Sequence, residues 1–347
     1  MDEVLHTTPP RFDEGEAVEI AARTFGIAAA TARNLGSERD QTFLLADPDG
    51  VGVAVMKVSN LAEDPATLDM EALAALHVHR VDPALGVALP WVAPDADPEQ
   101  GVDAYRAELR ADDGAHWVRA YDVLPGASRI EPLDLSDAAL AAWGETTARL
   151  GRAMRGFFHP RAQRTMLWDV QHALRVRPML DDVQPAKRAG VEAVLDRFEE
   201  VVVPVWPSLR AQCVHGDLTV DNALTDAAGL ITGVIDFGDM SHSALAIDVA
   251  SILDSLTAGR EGDELIRSAR LILDGYQRVT PLEPDELRLM GELWAARCAV
   301  TIAIGSWRAA RGLEDRGFAE RFNDVVIRSI ETLLATGWEE TAAALSG

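Results

Sequence analysis

The chain has 347 residues, 48% apolar and 25% charged, a balance that suits one or two folded units and excludes a disordered chain. A formal net charge of −24 argues against a nucleic-acid-binding face, and the two cysteines, Cys213 and Cys298, show neither a disulfide framework nor metal-ligand spacing. No apolar run reaches the length of a membrane span, and the polar start MDEVLHTTPPRFDEGE does not read as a signal peptide, so the default expectation is a cytoplasmic protein without membrane or nucleic-acid partners. The acidity would steer a cationic substrate, but acidic surfaces also serve solubility alone.

The predicted elements begin with a helix over residues 16–30, EAVEIAARTFGIAAA, which ends near Gly26. The chain up to about Phe12 is expected to be poorly ordered. QTFLLA (41–46) and VGVAVMKV (51–58) flank the turn signal Asp47-Pro48-Asp49-Gly50 and read as a hairpin. Residues 65–80 read as a helix with Pro65 at its start. Further strands are expected at 87–92, 101–109 and 116–124. After Leu124-Pro125-Gly126 helical patterns dominate, over 137–154, 186–203 and from 246 onward, with one strand-rich island at 212–237. The reading is an α+β chain of two lobes with a cleft, the first β-rich over 1–124 and the second mainly helical over 125–347.

The polar cluster VHGDLTVDN (214–222) lies in that island, and Asp236, fourteen residues beyond Asn222, lies in a second, Val234-Ile235-Asp236-Phe237-Gly238-Asp239. Between them Ala223–Ile231 reads as strand, turn, strand, so that a hairpin would return Asp236 beside Asn222. Each residue alone suits an ordinary turn, since Gly, Asp and Asn build turns. Together they suit phosphoryl transfer, which needs a carboxylate to orient and accept the proton of an attacking hydroxyl, and hard oxygen ligands for Mg²⁺ on the phosphates. Asp217 fits the first task; Asn222 and Asp236 fit the second.

With these motifs in place, the chain resembles the aminoglycoside phosphotransferase and choline kinase superfamily, small-molecule kinases with the protein-kinase fold. The resemblance implies that Asp217 is catalytic, that Asn222 and Asp236 hold Mg²⁺, and that His215 and Asp239 support the loop. It also asks the first lobe for a strand lysine facing the nucleotide phosphates and for an acid on the next helix. Lys57 in VAVMKV, the sole lysine of the first 180 residues, supplies the lysine; Glu71 supplies the acid, with Asp69 as competitor. The phosphate-covering loop would be residues 34–42, NLGSERDQT, with one glycine in place of three and with Ser37 offering a hydroxyl. Tyr121–Gly126 resembles the hinge that receives the base through backbone groups, here at Asp122 and Leu124, although Tyr121 equally suits a core.

LGSERDQTFLL, LPG, LWDVQHAL and IDFGDMSHSALAIDVA look like the hydroxylysine kinase group. That likeness implies transfer of the γ-phosphate of ATP or GTP to a hydroxyl of an amino acid or amino alcohol. Asp169 would then meet an ammonium group with Trp168 as a cation–π face, unless Asp169 caps the following helix. Arg297 would meet a carboxylate, unless it forms a helix-to-helix salt bridge. His242 and Asp248 read as structural supports. Two other readings stand beside this one: an antibiotic O-phosphotransferase conferring resistance, and a catalytically silent nucleotide-binding scaffold.

Overall fold

The computed structural model describes residues 9–37, 39–94, 96–97, 101–128 and 134–346. The chain forms two compact units: one extends to Pro125 and takes in Ile235–Gly238, and the other comprises Gly126–Val234 and the chain from Asp239 onward.

In the first unit, helix α1 (Glu14–Phe25) starts on a reciprocal cap, where Asp13 accepts from the Glu16 N–H at 2.8 Å and Glu16 accepts from the Asp13 N–H at 2.7 Å. Ala17, Ile20 and Ala21 put its apolar face into the core. Strands β1 (Thr31–Asn34), β2 (Gln41–Ala46) and β3 (Gly52–Val58) precede helix α2 (Pro65–Val81), and β4 (Ala107–Ala111) and β5 (Gly114–Tyr121) follow it. The strands form one antiparallel sheet in the order β1-β2-β3-β5-β4. The turn at Asp47–Gly50 closes the expected β2–β3 hairpin, with the Gly50 N–H donating to the Asp47 carbonyl at 3.0 Å.

Strand alternation sorts the side chains of this sheet. Phe43, Leu45, Met56, Val58, Val118 and Ala120 enter the core with α1. The register pairs Thr42 with Lys57 and Lys57 with Arg119, which leaves these three polar residues in a row on the opposite face. The side of the sheet that carries charge is therefore fixed by the same period of two that builds the core.

Three local expectations differ from the structure. Residues 87–92 form no strand: among the described residues Pro90 bridges Tyr121, with the Trp91 N–H donating to the Ala120 carbonyl at 2.8 Å and the Asp122 N–H to the Leu89 carbonyl at 3.0 Å. Val102–Tyr105 is a tight helical turn, and the strand starts at Ala107. Phe12 is packed: its backbone exchanges two 2.8 Å hydrogen bonds with the Gln41 amide, and its ring stands edge-on to His116 at 5.5 Å. Residues 1–8 lie outside the described chain.

The second unit contains α3 (Asp137–Ala153), a kinked helical stretch Val170–Asp182, α4 (Pro185–Arg197), and strands β6 (Ala211–Val214), β7 (Ala223–Thr225), β8 (Ile231–Val234) and β9 (Ser241–Ala244). Strand β6 pairs with β9 and β7 with β8, so the predicted 223–231 hairpin forms. Helices α5 (Ala246–Thr257), α6 (Gly262–Val279), α7 (Pro284–Arg288), α8 (Met290–Ala310), α9 (Arg316–Thr336) and α10 (Trp338–Ser346) complete the unit. Helices α3 and α6 touch backbone to backbone: a Cβ at Gly144 would lie 1.9 Å from the Ile272 carbonyl oxygen, and one at Gly275 equally close, 1.9 Å, to that of Ala141. Helix α8 is buried along most of its length, from Met290 to Ile304. Among the described residues no helix is long and apolar enough to cross a membrane. A sheet-rich unit followed by a mainly helical one is the expected α+β architecture.

Candidate active site

The loop after β6 is held from behind by α5. The Gly216 N–H donates to Asp248 Oδ1 at 2.8 Å, Ser251 Oγ donates to the Gly216 carbonyl at 2.7 Å, and the Val220 N–H donates to Ser255 Oγ at 3.1 Å. Positions 248, 251 and 255 recur at helical spacing, so one face of α5 carries the loop. Burial pushes the Asp248 carboxyl up to about 6, against the backbone N–H groups of Gly216 and His215 that favour its charged form. Gly216 has φ +77°, and a Cβ there would stand 3.0 Å from the Asp239 carbonyl oxygen, so the motif requires glycine for conformation and for space. Gly216→Ala is expected to destabilise the full chain by about 1–3 kcal/mol, measured by urea unfolding; an unchanged midpoint would contradict that account.

Asp217 emerges from this frame with both carboxylate oxygens engaged. Arg297 Nη2 donates to Oδ1 at 2.6 Å, and Asn222 Nδ2 donates to Oδ2 at 2.7 Å. Arg297 itself comes from α8, where it is 4% exposed. Its Nη1 donates to the Trp168 carbonyl at 3.0 Å, its guanidinium lies 5.2 Å from the Trp168 ring centre, and its Nε is 3.8 Å from Asp254 Oδ2. Burial works to lower the Arg297 pKa, but Asp217 and Asp254 outweigh it and hold the group charged. Asn222 spends its N–H on Asp217, which leaves its amide oxygen directed elsewhere.

In the first unit, Lys57 Nζ donates to Asp236 Oδ2 at 2.8 Å, while Asp236 Oδ1 accepts from the Gly238 N–H at 3.0 Å. Burial works to raise the Asp236 carboxyl, yet Lys57, Arg39 and the Gly238 N–H together hold it below the ordinary carboxylate range. For Lys57 burial lowers and Asp236 raises, with a net upward shift. Asp236 has φ +60°, and among the described residues it is the one non-glycine in the left-handed region, a conformation that costs about 1 kcal/mol and concentrates at functional sites. A Cβ at Gly238 would lie 2.8 Å from Asp236 Oδ1 and 3.1 Å from Arg39 Nη2, so glycine there leaves room for the carboxylate.

The expected pairing of Lys57 with Glu71 does not occur. Glu71 accepts from Arg119 Nη1, and Asp69, the competitor, accepts from Arg106 Nε at 2.8 Å. Arg119 also donates from Nη2 to Asp40 Oδ2 at 2.7 Å and from Nη1 to the Tyr121 hydroxyl at 3.1 Å. Tyr121 is buried and serves this cluster. Beside it, burial and the neighbouring Glu71 and Asp40 push the Glu63 carboxyl up to about 7. In the 34–42 loop the Gly36 N–H is occupied by Asn34 Oδ1 at 2.8 Å, and Ser37 Oγ accepts from the Asp40 N–H at 3.3 Å, while Glu38 lies outside the described residues. At the hinge position the Asp122 N–H donates to the Leu89 carbonyl at 3.0 Å and Asp122 Oδ1 accepts from the Trp91 indole at 2.8 Å; Leu124 is half-buried.

The three residues expected to meet the substrate are spent within the second unit. Asp169 is buried; its Oδ1 accepts from the Gln171 N–H at 2.9 Å and from Ser243 Oγ at 2.9 Å, and its Oδ2 from Ser241 Oγ at 2.8 Å. Its position is that of a helix cap with two serine partners, rather than of an open ammonium site. Trp168 offers its ring and carbonyl to Arg297, and Arg297 is committed to Asp217, the salt-bridge alternative extended to the loop. Asp169→Ala is expected to cost about 1–3 kcal/mol of stability, through the lost cap and two stranded hydroxyls. Chemical unfolding measures that loss; unchanged stability with a raised acceptor KM would restore the substrate role.

Sequence reasoning missed Arg119, Asp40, Arg39, Ser251 and Ser255. The α5 serines left a signal, polar residues at helical spacing in an apolar helix. Arg119 left a weaker one, a cation at an alternate position of a strand whose neighbours are apolar.

Residues 31–282 match the model of the phosphotransferase enzyme family. The mouse hydroxylysine kinase is 24% identical over 319 residues, covering 86% of this chain and 83% of that protein. A homoserine kinase of Paramagnetospirillum magneticum (strain ATCC 700264 / AMB-1) is 36% identical over 118 residues, 32% of this chain and 35% of that protein. Among solved structures, a microcompartment-associated aminopropanol kinase superposes with a TM-score of 0.72 at 18% identity, covering 93% of this chain and 97% of its own. The fold is thus shared with the protein-kinase-like small-molecule phosphotransferases. With the family match spanning most of the chain, including both polar loops, the protein belongs to the phosphotransferase enzyme family and is a small-molecule kinase.

Proposed function

We propose that the chain transfers the γ-phosphate of ATP or GTP to a side-chain hydroxyl of an amino acid or amino alcohol, in the manner of the hydroxylysine kinase it resembles along most of its length. The observation that carries the reading is the Asp217 carboxylate, fixed at one oxygen by Arg297 and at the other by Asn222. A carboxylate held in one orientation can accept the hydrogen bond of an alcohol. It then takes that proton as the alcohol oxygen bonds to phosphorus and the bond to the nucleoside diphosphate breaks. Most of the rate comes from positioning, so the frame around Asp217 matters as much as its basicity.

The donor sets fit a magnesium nucleotide. The Asn222 amide oxygen and the Asp236 carboxylate are the hard oxygen groups that would hold the metal. Mg²⁺ favours such a sparse protein contribution because phosphates and water complete its six ligands. When bound, the metal neutralises phosphate charge. Lys57, kept charged by Asp236, adds a cation for the phosphates. The Asp122 carbonyl and the Leu124 N–H are the backbone groups we assign to the base, since the Asp122 N–H is already used. Ser37 keeps its hydroxyl proton for a phosphate oxygen, because its oxygen is the acceptor in its bond to Asp40.

We assign Arg297 to the orientation of Asp217 rather than to the substrate carboxylate. Arg297→Lys is expected to lower kcat by about a hundredfold while the acceptor KM stays put. A carboxylate anchor would instead raise KM for amino acids and leave amino alcohols unaffected. Steady-state kinetics with one acceptor of each kind separates the two.

A further inference from the structure

The first unit places two cations side by side, one buried and one half-buried. Lys57 on β3 and Arg119 on β5 are direct cross-strand neighbours, 15% and 2% exposed in their side chains. Two positive charges at that separation repel, and burial raises the cost, so each needs its own carboxylate partner. The pairing that satisfies this is observed. Lys57 takes Asp236 at 2.8 Å, and Arg119 takes both Glu71 and Asp40. If Glu71 moved to Lys57, Arg119 would keep only Asp40 while Asp236 lost its ammonium partner.

The geometry of Arg119 joins three elements. Asp40 sits at the end of the loop between β1 and β2, Glu71 on the second turn of α2, and Arg119 in mid-strand on β5. A planar guanidinium with donors on both Nη atoms suits two carboxylates at once, which an ammonium group does not. The Tyr121 hydroxyl, 3.1 Å from Nη1, fixes the plane further. Arg119 contacts neither Asp236 nor Lys57 through a hydrogen bond, so it acts through the loop and the helix.

We propose that Arg119 is the positioning residue of the nucleotide site: it is the working partner of the α2 acid, and through Asp40 it fastens the phosphate-covering loop to α2, leaving Lys57 to Asp236. The inference rests on the kinase reading of this unit. It replaces the expected lysine–glutamate pair with an arginine-centred clamp that couples loop and helix.

The test is a double-mutant cycle on Asp40 and Glu71 in the full chain, with Arg119→Lys alongside, read as Mg²⁺-nucleotide Kd by titration calorimetry and as KM for nucleotide and acceptor. Asp40→Asn and Glu71→Gln should each weaken nucleotide binding by about tenfold. The double variant should lie within about twofold of the weaker single, because both act through one guanidinium. Acceptor KM should move little in all of them. Fully multiplicative losses, or an Arg119→Lys protein that binds and turns over like the wild type, overturn the clamp while leaving the kinase reading intact. If Arg119→Lys does not fold, the Asp40–Glu71 cycle decides alone. A wild-type protein that binds neither ATP nor GTP overturns the clamp and the kinase reading together.

Discussion

Asp217→Ala is expected to lower kcat by at least about a thousandfold while the Mg²⁺-nucleotide Kd stays near that of the wild type. The carboxylate acts on the acceptor hydroxyl, so its loss removes proton acceptance and hydroxyl orientation; Asn222 loses its bond to Oδ2 but still donates to the residue 217 backbone carbonyl at 2.9 Å, which keeps its amide oxygen in place for the nucleotide. The substitution also strands the Arg297 guanidinium, 4% exposed and paired with Asp217 at 2.6 Å. Asp254, 3.8 Å from Arg297 Nε, keeps that charge partly compensated. Asp217→Asn is the gentler companion: it keeps shape and loses the acceptor oxygen needed for the proton. Turnover in single-cycle kinetics together with calorimetric nucleotide affinity measures both halves of the prediction. Strong loss of nucleotide binding in either variant would remove Asp217 from its assigned role.

Asp236→Asn should abolish Mg²⁺-dependent nucleotide binding and cost about a hundred- to a thousandfold in kcat/KM. Asparagine is the informative replacement because residue 236 has φ +60°, a conformation that asparagine tolerates and alanine resists. The Gly238 N–H can still donate to the amide oxygen, so the turn survives. What disappears is one negative charge, and with it the partner of the Lys57 ammonium. Calorimetry with and without Mg²⁺ distinguishes the two losses: an intact metal-dependent increment in affinity would refute Asp236 as a metal ligand. The sign of the pH dependence follows from the same pair. The folded carboxyl lies below the ordinary range, so its contribution to stability is present above the unfolded pKa and is lost as pH falls through the lower folded value.

The parts of the site that were legible in the sequence are those that a single loop encodes. His215 to Asn222 form one short segment and Ile235 to Asp239 another, and the chemistry each suits is set by residue type and spacing. The strand lysine was legible because apolar alternation isolates Lys57 in a β pattern. Partners brought together by the fold were not. Arg119 lies 48 residues from Glu71 and 79 from Asp40, and Arg297 lies 80 from Asp217. Nothing local distinguishes a strand arginine that binds two carboxylates from one that faces water.

The same reason explains why the substrate side misled. Trp168, Asp169 and Arg297 have the chemistry of a zwitterion site, and sequence cannot tell whether such groups point at a ligand or at each other. In the structure Trp168 and Arg297 face each other and Arg297 binds Asp217, whereas Asp169 binds Gln171, Ser241 and Ser243. The aromatic and cationic groups build the support of the candidate catalytic carboxylate, and the acid caps the Val170 stretch and ties it to β9. The strands misplaced at 87–92 and 101–109 have a related origin: apolar content favours burial but does not set pairing, and the chain there makes an isolated bridge at Pro90 and a helical turn at Val102–Tyr105.

The proposed reaction is phosphorylation of a hydroxyl of an amino acid or amino alcohol, dependent on Asp217. The most direct measurement incubates the purified full chain with Mg²⁺, ATP or GTP, and a panel of hydroxy amino acids, amino alcohols and hydroxyl-bearing antibiotics, with the products resolved by mass spectrometry and phosphorus NMR. The expected product is a phosphomonoester on the side-chain hydroxyl of an amino acid or amino alcohol, formed by the wild type and not by Asp217→Ala. Transfer to no hydroxyl in the panel, or to an antibiotic with a kcat/KM far above that of every amino acid and amino alcohol, would contradict it.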